Sequence, residues 1–184
     1  VMKAVLMSIQ PKWCELIVDG KKTVEVRKTK PKLYTPFKVY IYCTLSGSNE
    51  FFKEDCGGNI AEWNKSKMAL KKGKVIGEFV CNYIEDFEEF EYGIDALHRH
   101  IKLNACINYD GIYKYLGFEK CGYGWNISNL VIYEKPRELS EFEIECKGGC
   151  DIPYVYYPPC DNCRKNRLTR PPQSWCYVEE GEEC

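Results

Sequence analysis

The chain has 184 residues, 45% hydrophobic and 29% charged, which is enough for one domain of ordinary size plus an appendage. A formal charge of −1 excludes a broadly basic nucleic-acid protein, although a neutral total can hide opposed patches. No apolar run approaches the roughly 20 residues of a membrane span, and no charged-then-apolar leader is present, so a cytoplasmic protein without membrane attachment is expected.

A short strand ends in Ser8-Ile9-Gln10, and Pro11 suits the first turn of a following helix. Trp13, Leu16 and Ile17 give that helix an apolar stripe, and Gly20 is a natural left-handed stop. The run Gly20-Lys21-Lys22-Thr23-Val24-Glu25-Val26-Arg27 then forms a turn and a strand of unusual charge. Alternation puts Val24 and Val26 on one face and Thr23, Glu25 and Arg27 on the other. At strand rise, Glu25 and Arg27 sit about 6.5–7 Å apart along one face, close enough to pair or to grip one ligand. The valines can be buried; the polar row requires a cleft.

Residues 20–32 hold Lys21, Lys22, Arg27, Lys28, Lys30 and Lys32 against one acid, Glu25. Either this is a solvated face or it is a rim that positions phosphate. Phe37–Cys43 and Val75–Cys81 alternate as strands, separated by a mixed insertion of loop and short helix over 45–72. The acids Glu85, Asp86, Glu88, Glu89 and Glu91 read as a solvated face. A helix is expected over Asp95–His100 and another from Asn108 to Leu116, with Gly117 as its stop and Asp110 as a helix cap. His98 and His100, two apart on a helix, face different ways. A last strand pair falls near Gly124–Asn129 and Leu130–Tyr133, and Pro136 closes the domain. Short strands with few helices suit an α+β domain built on a small curled sheet or partly closed β-barrel.

Composition changes abruptly after residue 143, dividing the chain into a domain over 1–143 and a cysteine-rich tail over 144–184. Six of the twelve cysteines lie in the last 39 residues: Cys146, Cys150, Cys160, Cys163, Cys176 and Cys184. Cys160-Asp161-Asn162-Cys163 has the spacing of a zinc knuckle, and Cys146-Lys147-Gly148-Gly149-Cys150 can supply a second pair, so these four thiols are candidate ligands of a structural zinc. Disulfides and free thiols are the alternatives. Cys14, Cys43, Cys81 and Cys106 sit singly in apolar patterns and read as small buried hydrophobes.

Gly20, Lys22, Glu25 and Arg27 match the spacing G-x-K-x-x-E-x-R of the ASCH domain family. With the Ser8-Ile9-Gln10 strand end, the Pro11-led helix, Gly124-Trp125-Asn126-Ile127 and Tyr133-Glu134-Lys135-Pro136, residues 2–142 resemble ASCH members of bacteria and phages. The resemblance implies a PUA-like β-barrel with flanking helices and an RNA- or nucleotide-binding cleft. Lys21, Lys22, Glu25 and Arg27 are then candidate ligand-binding residues, with Tyr123 and Trp125 to stack a base, although Trp125 also suits a core position.

The resemblance also carries a second activity: some small ASCH proteins are amidohydrolases that remove an acyl group from the exocyclic amine of a modified cytidine. Lys22 would be catalytic in that case, but Glu25 stands where that subfamily has threonine, and no position in this sequence is assigned to its catalytic glutamate. A nucleophilic lysine must lose its proton, and a carboxylate beside it favours the ammonium. A modified nucleoside held as ligand, rather than hydrolysed, fits these charges better. A third reading makes Glu25 and Arg27 a structural pair that closes the barrel mouth.

Overall fold

The first strand, β1 (Ala4–Ile9), carries five apolar residues in six and is buried along its length. An unbroken apolar run of this kind belongs to a strand covered on both faces. Val5, Met7 and Ile9 pack with Val39, Ile41, Ile76 and Phe79 on one side, while Ala4 and Leu6 pack with Tyr40, Phe142, Leu168 and Val178 on the other. The computed structural model describes residues 3–45, 71–87, 103–117, 122–144 and 167–180.

Helix α1 (Pro11–Val18) buries Pro11, Cys14 and Ile17. The apolar face is therefore rotated by about one residue from the expected Trp13-Leu16-Ile17 stripe, because the small Cys14 packs against the core and Trp13 is left half-buried. The helix ends as expected: Gly20 adopts φ +70°, and the N–H groups of Lys21 and Lys22 both donate to Leu16 O.

Six strands form one sheet: β3 (Phe37–Cys43), β4 (Lys74–Cys81), β7 (Ser128–Arg137), β8 (Phe142–Glu143), β9 (Trp175–Glu180) and β1, in the order β7-β4-β3-β1-β9-β8. β1 and β3 are parallel; the other neighbours are antiparallel. β2 (Val24–Arg27), β6 (Gly122–Asn126) and β5 (Ile84–Phe87) make a second sheet in the order β2-β6-β5. The larger core lies between the two sheets and is roofed by α1.

Helix α2 (Tyr109–Leu116) ends at Gly117, φ +88°, in agreement with expectation. Its cap is a correction: Asn108 Oδ1 accepts from Gly111 N at 2.8 Å, and Asp110 is an exposed residue of the first turn. The final strand pair is corrected as well. β6 and β7 belong to different sheets, and β7 runs on through Pro136 to Arg137. Proline is tolerated there because β7 is an edge strand and its pairing with β4 is interrupted between Val75 and Gly77.

The division at residue 143 does not hold for the described part of the tail. β9 pairs with β1 over Ala4↔Val178 to Met7↔Trp175, and Leu168 N donates to Phe142 O at 2.8 Å. Leu168 and Val178 are core residues. The insertion from 46 to 70, the helix expected at Asp95–His100 and the cysteines Cys146, Cys150, Cys160, Cys163 and Cys184 lie outside the described residues. Cys14, Cys43 and Cys81 are buried as expected, whereas Cys106 is half-buried on a turn with φ 53°.

Candidate functional site

The parity of β2 places Val24 and Val26 against Ala105, Ile112 and Leu116 beneath α2, so Glu25 and Arg27 point the other way. Glu25 and Arg27 are each only 6% exposed, and Lys22 is 3% exposed. Glu25 Oε1 lies 2.9 Å from an Arg27 terminal nitrogen, and Oε2 lies 3.2 Å from Lys22 Nζ. One carboxylate thus sits between two cations, an arrangement that offsets the desolvation of all three.

Both cations are anchored further. Lys22 Nζ donates to Ala105 O at 2.7 Å and lies 4.9 Å from the Trp13 ring centroid. Arg27 donates to Ser8 O at 2.8 Å and, more loosely, to Ser174 O at 3.5 Å and Ser174 Oγ at 3.4 Å. The Ser8 hydroxyl donates to Pro172 O at 2.6 Å, and Ser8 N donates to Ser174 O at 2.9 Å. The segment before β9 is thereby tied to the strand before α1. Two buried polar atoms of the cluster, Glu25 Oε2 and Arg27 Nε, have no aligned hydrogen bond within the protein.

The cluster lies at a cavity of about 900 Å³, within the usual span of small-molecule sites. Ser8, Lys12, Trp13, Lys22, Glu25 and Arg27 line it from β1, α1, the turn after α1 and β2; Tyr42 and Thr44 come from the end of β3; Asn108, Asp110, Lys114 and Tyr115 come from α2 and its cap; Pro171, Pro172 and Gln173 close it from the tail. Lys12 Nζ stands 4.5 Å from the Trp13 ring centroid. Burial first, and the charge of Lys22 second, push the Lys12 amine down to about 8. Burial also raises the Tyr115 phenol.

Of the residues singled out in the sequence, Lys22, Glu25 and Arg27 are brought together at the cavity. Lys21 is not: its side chain is 59% exposed and pairs with Asp19 at 3.2 Å. Tyr123 and Trp125 are corrected as base-stacking residues. The β2–β6 register sets Trp125 opposite Glu25 and Tyr123 opposite Arg27, with both rings directed into the packed core. Trp125 is fully buried against Phe37 and Trp175, at centroid distances of 5.6 and 5.8 Å. Tyr123 packs on the same core under Lys30, whose Nζ is 5.0 Å from its ring.

The aromatic side chains at the cavity are instead Trp13, Tyr42 and Tyr115. Trp13 was legible in principle, since counting Cys14 as the core residue of α1 turns Trp13 off the buried face. Gln173 carried no local signal, because what brings its segment to the site is a contact spanning more than 160 residues of chain. Of the basic run, Lys28 covers the Tyr115 ring at 5.2 Å and Lys30 pairs with Asp86 at 2.7 Å. No cluster of three or more histidine, cysteine, aspartate or glutamate side chains able to hold a metal occurs among the described residues. The four proposed zinc ligands lie outside them.

This fold and the charged strand at its cavity define an ASCH-type domain. A family model for the ASCH domain matches residues 7–137, and the chain belongs to that family. Among solved structures it is similar to the ASCH protein of Zymomonas mobilis, with 17% identity and a TM-score of 0.57, covering 96% of this chain and 87% of that one. A serine-to-alanine variant of the same protein gives 16% identity and a TM-score of 0.57, covering 96% of this chain and 88% of that one. A tyrosine-to-phenylalanine variant gives 17% and 0.51, covering 75% and 77%. No curated protein matches the sequence. The architecture is the expected PUA-like α+β fold, and no helix among the described residues is long and apolar enough to cross a membrane.

Proposed function

We propose that the protein binds RNA or a nucleotide, including modified nucleosides, at the cavity lined by Lys22, Glu25 and Arg27, with the cytoplasm as its setting. The observation that carries this reading is the cluster of three buried charges facing a cavity of about 900 Å³. A pair that only closed a barrel would not require a space of that size, nor Trp13 and Tyr115 on its walls. Those rings supply a surface on which a base can stack, and Gln10, Asn108 and Gln173 supply amides able to meet base edges.

Geometry favours holding a ligand over attacking one. Lys22 Nζ already donates to Ala105 O and faces the Glu25 carboxylate, so it is engaged rather than poised as a nucleophile. The residue three positions after the lysine is a carboxylate, where the amidohydrolase subfamily has threonine.

The test is equilibrium binding of nucleosides, nucleotides and short single-stranded oligoribonucleotides to the wild type and to Trp13→Ala, with acylated cytidine assayed for turnover beside Lys22→Ala. Trp13→Ala should weaken binding about 5- to 150-fold, the range of one lost stacking contact. Wild type that binds none of these ligands at millimolar concentration would overturn the reading. Turnover of acylated cytidine that disappears in Lys22→Ala would replace it with the amidohydrolase.

A further inference from the structure

The basic run around β2 leaves one cation that the fold has not taken up. Lys21 pairs with Asp19, Lys22 and Arg27 hold Glu25, Lys28 lies over the Tyr115 ring and Lys30 pairs with Asp86. Lys32 is exposed, and its amine has no ion pair or ring contact among the described residues. Its backbone N–H, by contrast, donates to Tyr177 Oη at 2.7 Å. Two positions on, Tyr34 is 99% exposed.

We infer that Lys32 and Tyr34 form a docking surface for single-stranded RNA outside the cavity, with Tyr34 stacking an unpaired base and Lys32 meeting the phosphate beside it. This rests on the proposed RNA-binding reading and extends it from one base in the cavity to a strand that leaves it.

Three observations support it. First, the backbone that carries the pair is anchored. Trp175 Nε1 donates to Thr29 Oγ1 at 3.0 Å, Pro31 is buried, Leu33 packs against the larger core, and Phe37 is buried at the start of β3. Inward and outward residues alternate from Pro31 to Tyr34, so the lysine and the tyrosine face solvent at most about 7 Å apart along the backbone. An anchored backbone loses little freedom when a ligand docks, and tyrosine adds only two side-chain torsions.

Second, the segment is continuous with the cavity. Ser174 meets Arg27 at the cavity, Trp175 meets Thr29 and Tyr177 meets Lys32, so residues 27–32 follow the start of β9 away from the cavity wall. Three residues of strand, about 10 Å, separate the two ends of that path. One RNA strand of a few nucleotides can touch both.

Third, the side chains suit nucleic acid. Residues 28–36 contain three lysines and no acid. A ring beside an ammonium matches a base beside its phosphate, and Trp13 and Tyr115 at the cavity end of the path offer rings for a further base.

The experiment measures binding of the four 5′-mononucleotides and of single-stranded RNA of about six nucleotides to wild type, Tyr34→Ala, Tyr34→Phe, Lys32→Ala and Trp13→Ala. The RNA should bind wild type more tightly than any mononucleotide. Tyr34→Ala should weaken RNA binding about 5- to 150-fold, the range of one lost stacked base, and leave mononucleotide affinity unchanged. Tyr34→Phe, which keeps the ring, should retain RNA affinity. Lys32→Ala should make the dependence of log affinity on log salt shallower by about 0.7, the share of one phosphate on a single strand. RNA affinity unmoved by Tyr34→Ala, or a salt slope unmoved by Lys32→Ala, would overturn the inference. So would a change of oligomeric state in Tyr34→Ala without loss of RNA binding, which assigns the face to a second copy of the chain. If mononucleotides bind and respond to Trp13→Ala while RNA binds no tighter, the cavity reading stands and the docking surface falls. If RNA binding needs Tyr34 and ignores Trp13, the reverse holds; if nothing binds, both fail.

Discussion

Glu25 and Arg27 are two positions apart on one strand, and their side chains meet at 2.9 Å although each is only 6% exposed. Lys22 completes the set from the turn before the strand. Removing the carboxylate leaves two buried cations without their counter-charge, so Glu25→Ala should destabilise the protein by about 3–5 kcal/mol. Replacing Lys22, Glu25 and Arg27 together by methionine should cost less than Glu25→Ala alone. Urea denaturation of the two variants checks this, and a loss below about 1 kcal/mol for Glu25→Ala would show that the pair is not buried as described.

Two glycines should behave differently. A Cβ at Gly77 would lie 2.3 Å from Val131 O, a backbone atom of the paired strand. Gly77→Ala must therefore push β4 and β7 apart, at about 1–3 kcal/mol or more. At Gly20 nothing lies within 4 Å of such a Cβ and only the left-handed backbone, φ +70°, resists. Gly20→Ala should cost about 1–2 kcal/mol, with the cavity and its ligand unaffected. The comparison is read from thermal unfolding and ligand binding side by side.

The second core depends on Phe142, which is fully buried with its ring 4.8 Å from Tyr40. It packs where β8 meets β9, alongside Leu168 and Val178. Phe142→Ala should cost about 3–5 kcal/mol. Because β9 leads directly from Ser174, which contacts Arg27, the variant should also weaken ligand binding wherever it partly undocks the strand.

Binding of an anion should depend on pH through Lys12. Its amine is pushed down to about 8, so affinity for a phosphate-bearing ligand should fall as pH rises through that value and the charge is lost. Lys12→Gln should flatten the profile. Stability without ligand carries the opposite sign. The unfolded lysine, near 10.4, binds more protons than the folded one between about 8 and 10.4, so this group makes the protein more stable as pH climbs through that window.

The zinc staple in the tail is proposed from the spacing of Cys146, Cys150, Cys160 and Cys163 alone. One zinc per chain should be found by elemental analysis of freshly reduced protein, and be lost when the pair Cys160 and Cys163 is changed to serine. Metal far below one equivalent in the wild type would sink the idea.

Much of the fold was legible because its signals are local. Pro11 and Gly20 bound α1, the Phe37–Cys43 alternation is β3 without revision, and Gly117 ends α2. At the site, β2's period of two correctly separated Val24 and Val26 from Glu25 and Arg27. What escaped was set by tertiary packing. The buried face of β6 puts Trp125 in the core, while the burial of Cys14 on α1 leaves Trp13 to reach the cavity, and both tryptophans look alike in sequence. The composition break after residue 143 concealed a strand, because the Trp175–Glu180 stretch is too short and mixed to stand out from its surroundings.

β9 lies between β1 and β8, although about 170 positions of chain separate it from β1. A nascent chain that has already formed α1, β3, β4 and β7 still presents β1 as an open, apolar edge, the kind of edge that pairs with the wrong partner. Closure by β9 removes that hazard and, in the same event, brings Pro172, Gln173 and Ser174 to the cavity. The strand that covers the β1 edge and the segment that closes one wall of the cavity are therefore one continuous piece of chain.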